Sequence, residues 1–459
     1  MPETAARAEL RRVLGPWSAA AIVVGTIIGS GIFLVPKAMV ASVGSPGAVF
    51  VVWIVGGLLS LCGALCYAEL AAAMPEAGGE YVYLREAYGP VWGFLCGWTQ
   101  TWVAKSGSIA SMATGFFYYL ANFVPALETT AFLIRLPIGP GGGPLEIRYG
   151  QFLAVAVILF LALLNYWGTR LGGGVQVVTT AAKIGLLGAI IALGLFSGRG
   201  SWTNLQTHTN AAGGAAGFLV ALVAALWAYD GWNNLGMAAS EVQRPQRNLP
   251  LALLAGTLTV IAVYLAANLA YFFVLPAGDA AASDRVAAEM MRRVAGPAGA
   301  GAVSIAAMIS IFAALNGAIL TGARIPFAMA RDGRFFRQMG RVSPAHGTPG
   351  AAIVLVCLWA SLLVFSGRFE QLFTYVIFAN WLIFAMGATA VLVLRRRRPE
   401  LPRPYRTPGY PLLPALFALA ALAVVAATLV NSPRESLMGA GVILTGLPFY
   451  FYWKRRELC

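Results

Sequence analysis

The sequence predicts an all-α polytopic membrane protein, and three observations predict it. Of 459 residues, 59% are hydrophobic and only 11% charged, with a mean hydropathy of +0.74. A soluble domain of this length needs charge on about a quarter of its residues to cover its surface. Apolar runs close to the ~20 residues that cross hydrocarbon recur along the whole chain. Lys and Arg crowd between those runs, so the formal charge of +14 reads as flanks of spans. A nucleic-acid partner would need the charge gathered in a basic stripe on one surface. The lipid bilayer is the partner that fits.

Apolar runs bounded by Gly, Pro or charge give 12 predicted transmembrane helices, at 16–41, 46–73, 90–121, 150–168, 173–197, 215–239, 250–275, 299–330, 350–366, 370–394, 411–430 and 437–453. The start, MPETAARAELRRVLGPW, is polar and lacks a cleavage pattern, so the first span is expected to act as its own insertion signal and stay. An even count puts both termini on one side. With the termini cytoplasmic, that side carries 20 of the Lys and Arg residues outside the spans and the other side 8. A multi-pass protein of the plasma (inner) membrane with cytoplasmic N- and C-termini is expected. The stretch 78–88, GGEYVYLREAY, is too short to span. It reads either as an amphipathic helix at the cytoplasmic interface or as an ordinary loop.

Cys62, Cys66, Cys96 and Cys357 lie inside apolar runs and Cys459 is terminal, with no CxxC pair. Neither a disulfide framework nor a zinc site follows. His208 and His346 both fall in predicted loops, so no metal centre and no cofactor are expected. No HExxH, GxSxG or paired-carboxylate arrangement marks an enzyme, and no charged ring or carbonyl filter marks a channel.

Two spans are interrupted. The first reads VVGTIIGSGIFLVPKAMV, with Gly29, Ser30 and Gly31 at mid-membrane; the sixth reads LVALVAALWAYDGWNNLGMAASE, with Tyr229, Asp230 and Gly231 there. Taken singly, a Gly-x-Gly is a packing notch. The sixth span, however, adds Asp, Trp and two Asn at a depth where polar groups are expensive unless they face a cavity or a partner. The breaks also correspond. Spans one to five cover 18–197, spans six to ten cover 215–394, and each block opens with its broken helix. Five is odd, so the second block enters from the opposite face. This predicts a single transporter domain over 1–459: two inverted repeats, then two further helices and the tail in 395–459. Matched interruptions point to a site near the midplane.

The break chemistry suggests a ligand. N–H groups around Ser30, Gly31 and Ile32 begin the second half of helix 1, and that positive end favours an anion. Carbonyls around Ile27 and Ile28, and those of Trp227 and Ala228, suit a cation. An α-amino acid carries both charges.

With GTIIGSGIF at 25–33, YAELAAAMPEAGGEYVYLREAYGP at 67–90, WAYDGWNN at 227–234, EVQRPQRNLP at 241–250 and LNGAILTGARIPFAMARDG at 315–333, the chain resembles the amino acid–polyamine–organocation superfamily. Within it, the resemblance is to the L-amino-acid and cationic amino acid transporter branches. It implies a LeuT-type 5+5 inverted repeat with helices 1 and 6 broken. It further implies the substrate carboxylate on the backbone around Ser30 and Gly31, with Gly29 beside it among the substrate-binding candidates, and the amino group on carbonyls of Ile28, Trp227 and Ala228. Trp227 resembles an aromatic lid; a packing Trp is the alternative. Lys183, in TTAAKIGLL, stands where related carriers use a Lys in place of sodium, which implies contacts to carbonyls near Gly25 and to the eighth span; a local ion pair is the alternative. Asp230 is read either as a cap at Trp232 or Asn233 or as a partner for a cationic side chain. Lys183, Trp227 and Asn233 are the candidate coupling and gating residues.

Glu69 and Lys105 are expected to be structural, and Arg324 and Arg395 to Arg398 to be interfacial anchors, with lipid binding a second reading of the run. The loop at 122–149 holds no Cys, so no disulfide-linked heavy chain is expected. The function expected is sodium-independent amino acid transport, either exchange or uptake coupled to protons, with a sensor on a carrier fold or a polyamine transporter as alternatives.

Overall fold

The computed structural model describes residues 9–121, 123–124, 132–136, 145–211, 213–365, 369–431 and 433–457. Helix α1 (Pro16–Ile27) starts on a proline, which suits a first turn, and stops at Ile28, where the backbone is extended. Helix α2 (Gly31–Val43) resumes three residues later and ends at Gly44, whose φ of +83° is a left-handed cap. Helix α3 (Pro46–Ala73) begins at Ser45, whose hydroxyl accepts the Ala48 N–H at 3.3 Å. Helices α4 (Glu80–Tyr88), α5 (Pro90–Thr99) and α6 (Lys105–Leu120) follow, the last two joined by a π-helical stretch at Gln100–Ala104. A two-stranded antiparallel ribbon of β1 (Phe132–Leu136) and β2 (Leu145–Arg148) leads into α7 (Tyr149–Trp167) and α8 (Thr169–Phe196).

Helix α9 (Gly214–Ala228) breaks off before a short α10 (Asn234–Met237). Then come α11 (Pro245–Val274), α12 (Ala277–Ala282), α13 (Val286–Gly322), α14 (Arg324–Arg331), α15 (Gly350–Phe365), α16 (Phe369–Arg397), α17 (Leu412–Asn431) and α18 (Pro433–Glu457). The core lies where α1 packs on α8, α11 and α13, and α2 packs on α9.

Helix α8 displays the inside-out pattern of a protein in lipid. Its buried positions include Thr169, Gln176, Thr180 and Lys183, whereas Leu171, Val178, Leu193 and Phe196 are exposed. Polar groups seek partners in the bundle because hydrocarbon offers none. Among the described residues, nine helical stretches are long and apolar enough to cross a membrane, and Gly214–Ala228 and Gly350–Phe365 are apolar but shorter. This is fewer than the 12 expected spans. The sixth is cut at Ala228, the ninth ends at Phe365, and 90–121 is divided by the π stretch.

Several expectations change. Of the two readings of 78–88, the helix is the one observed rather than the ordinary loop: α4 starts at Glu80 and buries Glu80, Tyr81, Val82, Tyr83, Leu84 and Ala87 against the protein. The eighth span lengthens back to Val286 across a kink at Ala295 and Gly296. Arg324 is no surface anchor. It is fully buried, its Nε 2.6 Å from Glu241 Oε2 and its Nη2 3.0 Å from Thr169 Oγ1. Arg395 pairs with Glu69 at 2.7 Å and lies 4.0 Å over the Tyr410 ring, so it fastens α16 to α3. Most of the 122–149 loop lies outside the described residues.

Candidate substrate site

The two helix breaks meet. Thr26, in the last turn of α1, donates from its hydroxyl to the Gly231 carbonyl at 2.9 Å. Gly231 has φ +121°, and a Cβ there would sit 2.9 Å from the Thr26 carbonyl carbon. Glycine is required on both counts. Across the other side, a Cβ on Gly31 would lie 2.8 Å from Ala228 Cβ and 3.5 Å from the Trp227 ring. The breaks are held in register by these close approaches.

Between them lies a cavity of about 90 Å³, lined by Thr26, Ile27, Gly29, Ser30, Gly31, Lys105, Ser108, Trp227, Ala228, Asp230, Gly231 and Asn234 among others. That volume holds several waters or one small solute. Helix α2 opens onto it at Gly31, and its N-cap, Ser30, makes no side-chain cap bond. First-turn N–H groups without an intrahelical acceptor, at the positive end of the helix, form an anion site.

The carbonyls of the helix 1 break are engaged from behind. Lys183 Nζ donates to the carbonyls of Gly25 at 2.9 Å, Ile28 at 2.5 Å and Ser310 at 2.9 Å. An ammonium has three N–H bonds, and here three oxygens receive them. Ser310 also donates to the carbonyls of Ile28 and Gly29, at 2.9 and 3.1 Å. The Tyr264 hydroxyl lies 3.1 Å from the Ile27 carbonyl and 2.9 Å from that of Ala228.

Of the residues singled out from sequence, Ile27, Gly29, Ser30, Gly31, Trp227, Ala228 and Asp230 line the cavity, and Ile28 and Ile32 do not. The Ile28 carbonyl serves Lys183 instead, and Ile32 is packed at 0% exposure. Among the described residues Lys183 makes no ion pair; its three partners are neutral carbonyls from α1, its end and α13. Asp230 does not cap Trp232 or Asn233: its Oδ1 accepts the Gly231 N–H at 2.9 Å, and Asn380 Nδ2 donates to Oδ2 at 3.3 Å. Asn233 turns from the cavity and donates to the Glu80 carboxylate. Its neighbour Asn234 takes the cavity wall, accepting from Lys105.

Lys105, expected to be structural, thus lines the cavity, together with Ser108 and Ser111 of the same helix. The π stretch was the signal needed to see this, and no residue pattern in QTWVA announces it. Outside the cavity lining, Lys37 of α2 pairs with Asp284. That hydrogen bond and charge hold the Asp284 carboxyl below its ordinary range.

A comparison with known proteins fits this geometry. The amino acid permease family model matches residues 14–451. The b(0,+)-type amino acid transporter 1 of Mus musculus is 34% identical over 446 residues, 96% of this chain and 88% of its own length. The serine/threonine exchanger SteT of Bacillus subtilis (strain 168) is 32% identical over 451 residues, 98% of both chains. The large neutral amino acids transporter small subunit 2 of Mus musculus is 31% identical over 458 residues, 98% of this chain and 83% of its own. Two opposed helix breaks around one cavity, and likeness over nearly the whole chain, lead to one conclusion: the chain belongs to the amino acid permease family, within the amino acid–polyamine–organocation superfamily.

Proposed function

We propose that this protein is a secondary carrier of neutral L-amino acids that works by alternating access, without sodium. The observation that carries this reading is the meeting of the uncapped α2 N-terminus with the end of α9 across a single small cavity. The substrate carboxylate takes the N–H end of α2 where it opens onto the cavity at Gly31, and the ammonium takes the lone pairs left on the carbonyls of Ile27, Trp227 and Ala228. Ile28, engaged by Lys183, serves the scaffold. Trp227, beside both Gly31 and the cavity, covers the bound substrate.

Sodium independence rests on Lys183. Its ammonium ties α1 to α13 through carbonyl oxygens, the ligands a sodium ion would use, and leaves no vacancy among them. The architecture is 12 spans in a 5+5 inverted repeat plus two helices, with both termini cytoplasmic in the plasma membrane. The name of one relative, the serine/threonine exchanger SteT, favours exchange over net uptake, and the small cavity favours short side chains.

Purified protein in liposomes tests this. Labelled serine or threonine is expected to enter only liposomes preloaded with amino acid, equally in sodium or choline medium. Uptake that requires sodium, or no uptake of any amino acid, overturns the reading. Uptake into empty liposomes driven by a pH gradient replaces exchange with proton coupling.

A further inference from the structure

The cavity wall carries two opposite charges brought from different parts of the chain. Lys105 is 4% exposed and lines the cavity, donating to Asn234 Oδ1. Asp230, from the helix 6 break, lines the same cavity, and it is one of two carboxyl groups within electrostatic reach of Lys105, Glu80 being the other. Nothing local in the sequence aims Lys105 here. The π-helical stretch Gln100–Ala104 directly precedes it. Its extra residue per turn rotates every later side chain relative to a regular helix. The Ser106 hydroxyl secures the wide turn by donating to the Thr101 carbonyl five residues back, at 2.7 Å. Gly322 of α13 then leaves room for the lysine stem, since a Cβ there would approach Lys105 Cβ at 3.3 Å. A wide turn, a hydroxyl and a glycine together place one ammonium in the cavity wall.

We propose that Lys105 sets the charge preference of the substrate side chain. Its ammonium balances Asp230, so the wall attracts no further cation, and a zwitterion with a neutral side chain is the ligand that fits. Without Lys105, the Asp230 carboxylate lacks its counter-charge in a low-dielectric site, where an unpaired charge is costly. A lysine or arginine side chain then supplies the missing cation. This inference rests on the carrier reading above and refines its substrate class.

The test is competition in liposomes, with unlabelled lysine or leucine against a labelled neutral amino acid. Lys105→Met is expected to lower the inhibition constant of lysine relative to leucine by tenfold or more. Lys105→Arg, which keeps the charge, leaves the ratio near that of the wild type. The double variant Lys105→Met/Asp230→Asn loses the gain, because the carboxylate that attracts the cation is gone. An unchanged ratio in Lys105→Met, or the same shift in the double variant, overturns the proposal. If Lys105→Met binds but does not turn over, the ratio is read from thermal stabilisation of the purified protein by the two amino acids; loss of both responses together makes Lys105 a folding residue and also overturns it. Wild-type uptake of an amino acid is the separate measurement on which the carrier reading stands or falls.

Discussion

The two helix breaks do different work, although each is a gap in a helix at the same cavity. The break in helix 1 spans Ile28–Ser30 and carries no charged side chain. Its carbonyls are met from outside by Lys183, Ser310 and Tyr264, and its N–H end opens onto the cavity at Gly31. The break in helix 6 spans Tyr229–Asn233, bends through a glycine at φ +121°, and presents its own side chains: Asp230 to the cavity and Asn233 to Glu80. In the reading proposed above, helix 1 meets the carboxylate that every amino acid shares, while helix 6 adds to its backbone carbonyls a side chain, Asp230, that can tell one amino acid from another. On that reading, discrimination between side chains falls to helix 6.

The largest expected effect breaks the common part. Gly31→Val puts a side chain against Ala228 at the mouth of the N–H cluster. Uptake of every substrate is expected to fall by about a hundredfold or more, the scale on which an ångström of misplacement acts. Cell-surface labelling checks that the variant still reaches the membrane. A variant that transports normally removes the carboxylate site from helix 1.

Lys183→Ala comes next. It takes a donor from three buried carbonyls, and hydrogen bonds to a charged group contribute about 1.5–3 kcal/mol each. Turnover is expected to collapse while the protein still inserts, and the thermal midpoint to drop. If sodium restores uptake in this variant, the ammonium occupies an ion site; normal transport in choline ends the idea that Lys183 couples α1 to α13.

Gly231→Ala sharpens the comparison from the other side. A residue with a side chain is strained at this φ by about 1–3 kcal/mol, and its Cβ would press on Thr26. The expected result is a partial loss of uptake with an altered ranking of substrates, since the chain beside Asp230 shifts. A uniform loss across all substrates would mean that helix 6 does not discriminate.

The smallest effect lies at the exposed Lys37–Asp284 pair. Lys37 depresses the Asp284 carboxyl, so the ion pair is present above the ordinary carboxylate pKa and is lost as pH falls through the depressed value. Asp284→Asn is expected to change transport slightly at neutral pH, and the difference from wild type to vanish in strong acid. Both groups are solvent-exposed, and salt should screen the effect.

Hydropathy and glycine placement made much of this legible beforehand. The apolar helical character of the chain, the two breaks and the seven break residues on the cavity wall follow from patterns within single helices. Asn233 and Asn234 show the limit. The sequence offers two adjacent amides at the break, and which one faces the cavity depends on where Glu80 and Lys105 arrive from elsewhere. Arg324 makes the same point: its place near a span end resembles an anchor, and only Glu241, 83 residues away, turns it into a buried pair.

Amino-acid order alone determined that this chain lives in lipid and that helices 1 and 6 come apart, because transfer into hydrocarbon and the conformational freedom of glycine are properties of short segments. The tertiary structure decided which exposed backbone groups remain for a ligand. Lys183, Tyr264 and Ser310 claim carbonyls from more than a hundred residues away or across a neighbouring helix, and a π turn swings Lys105 into the cavity. A hydrogen bond needs its partner within about 3 Å, and only the packed bundle brings those partners that close.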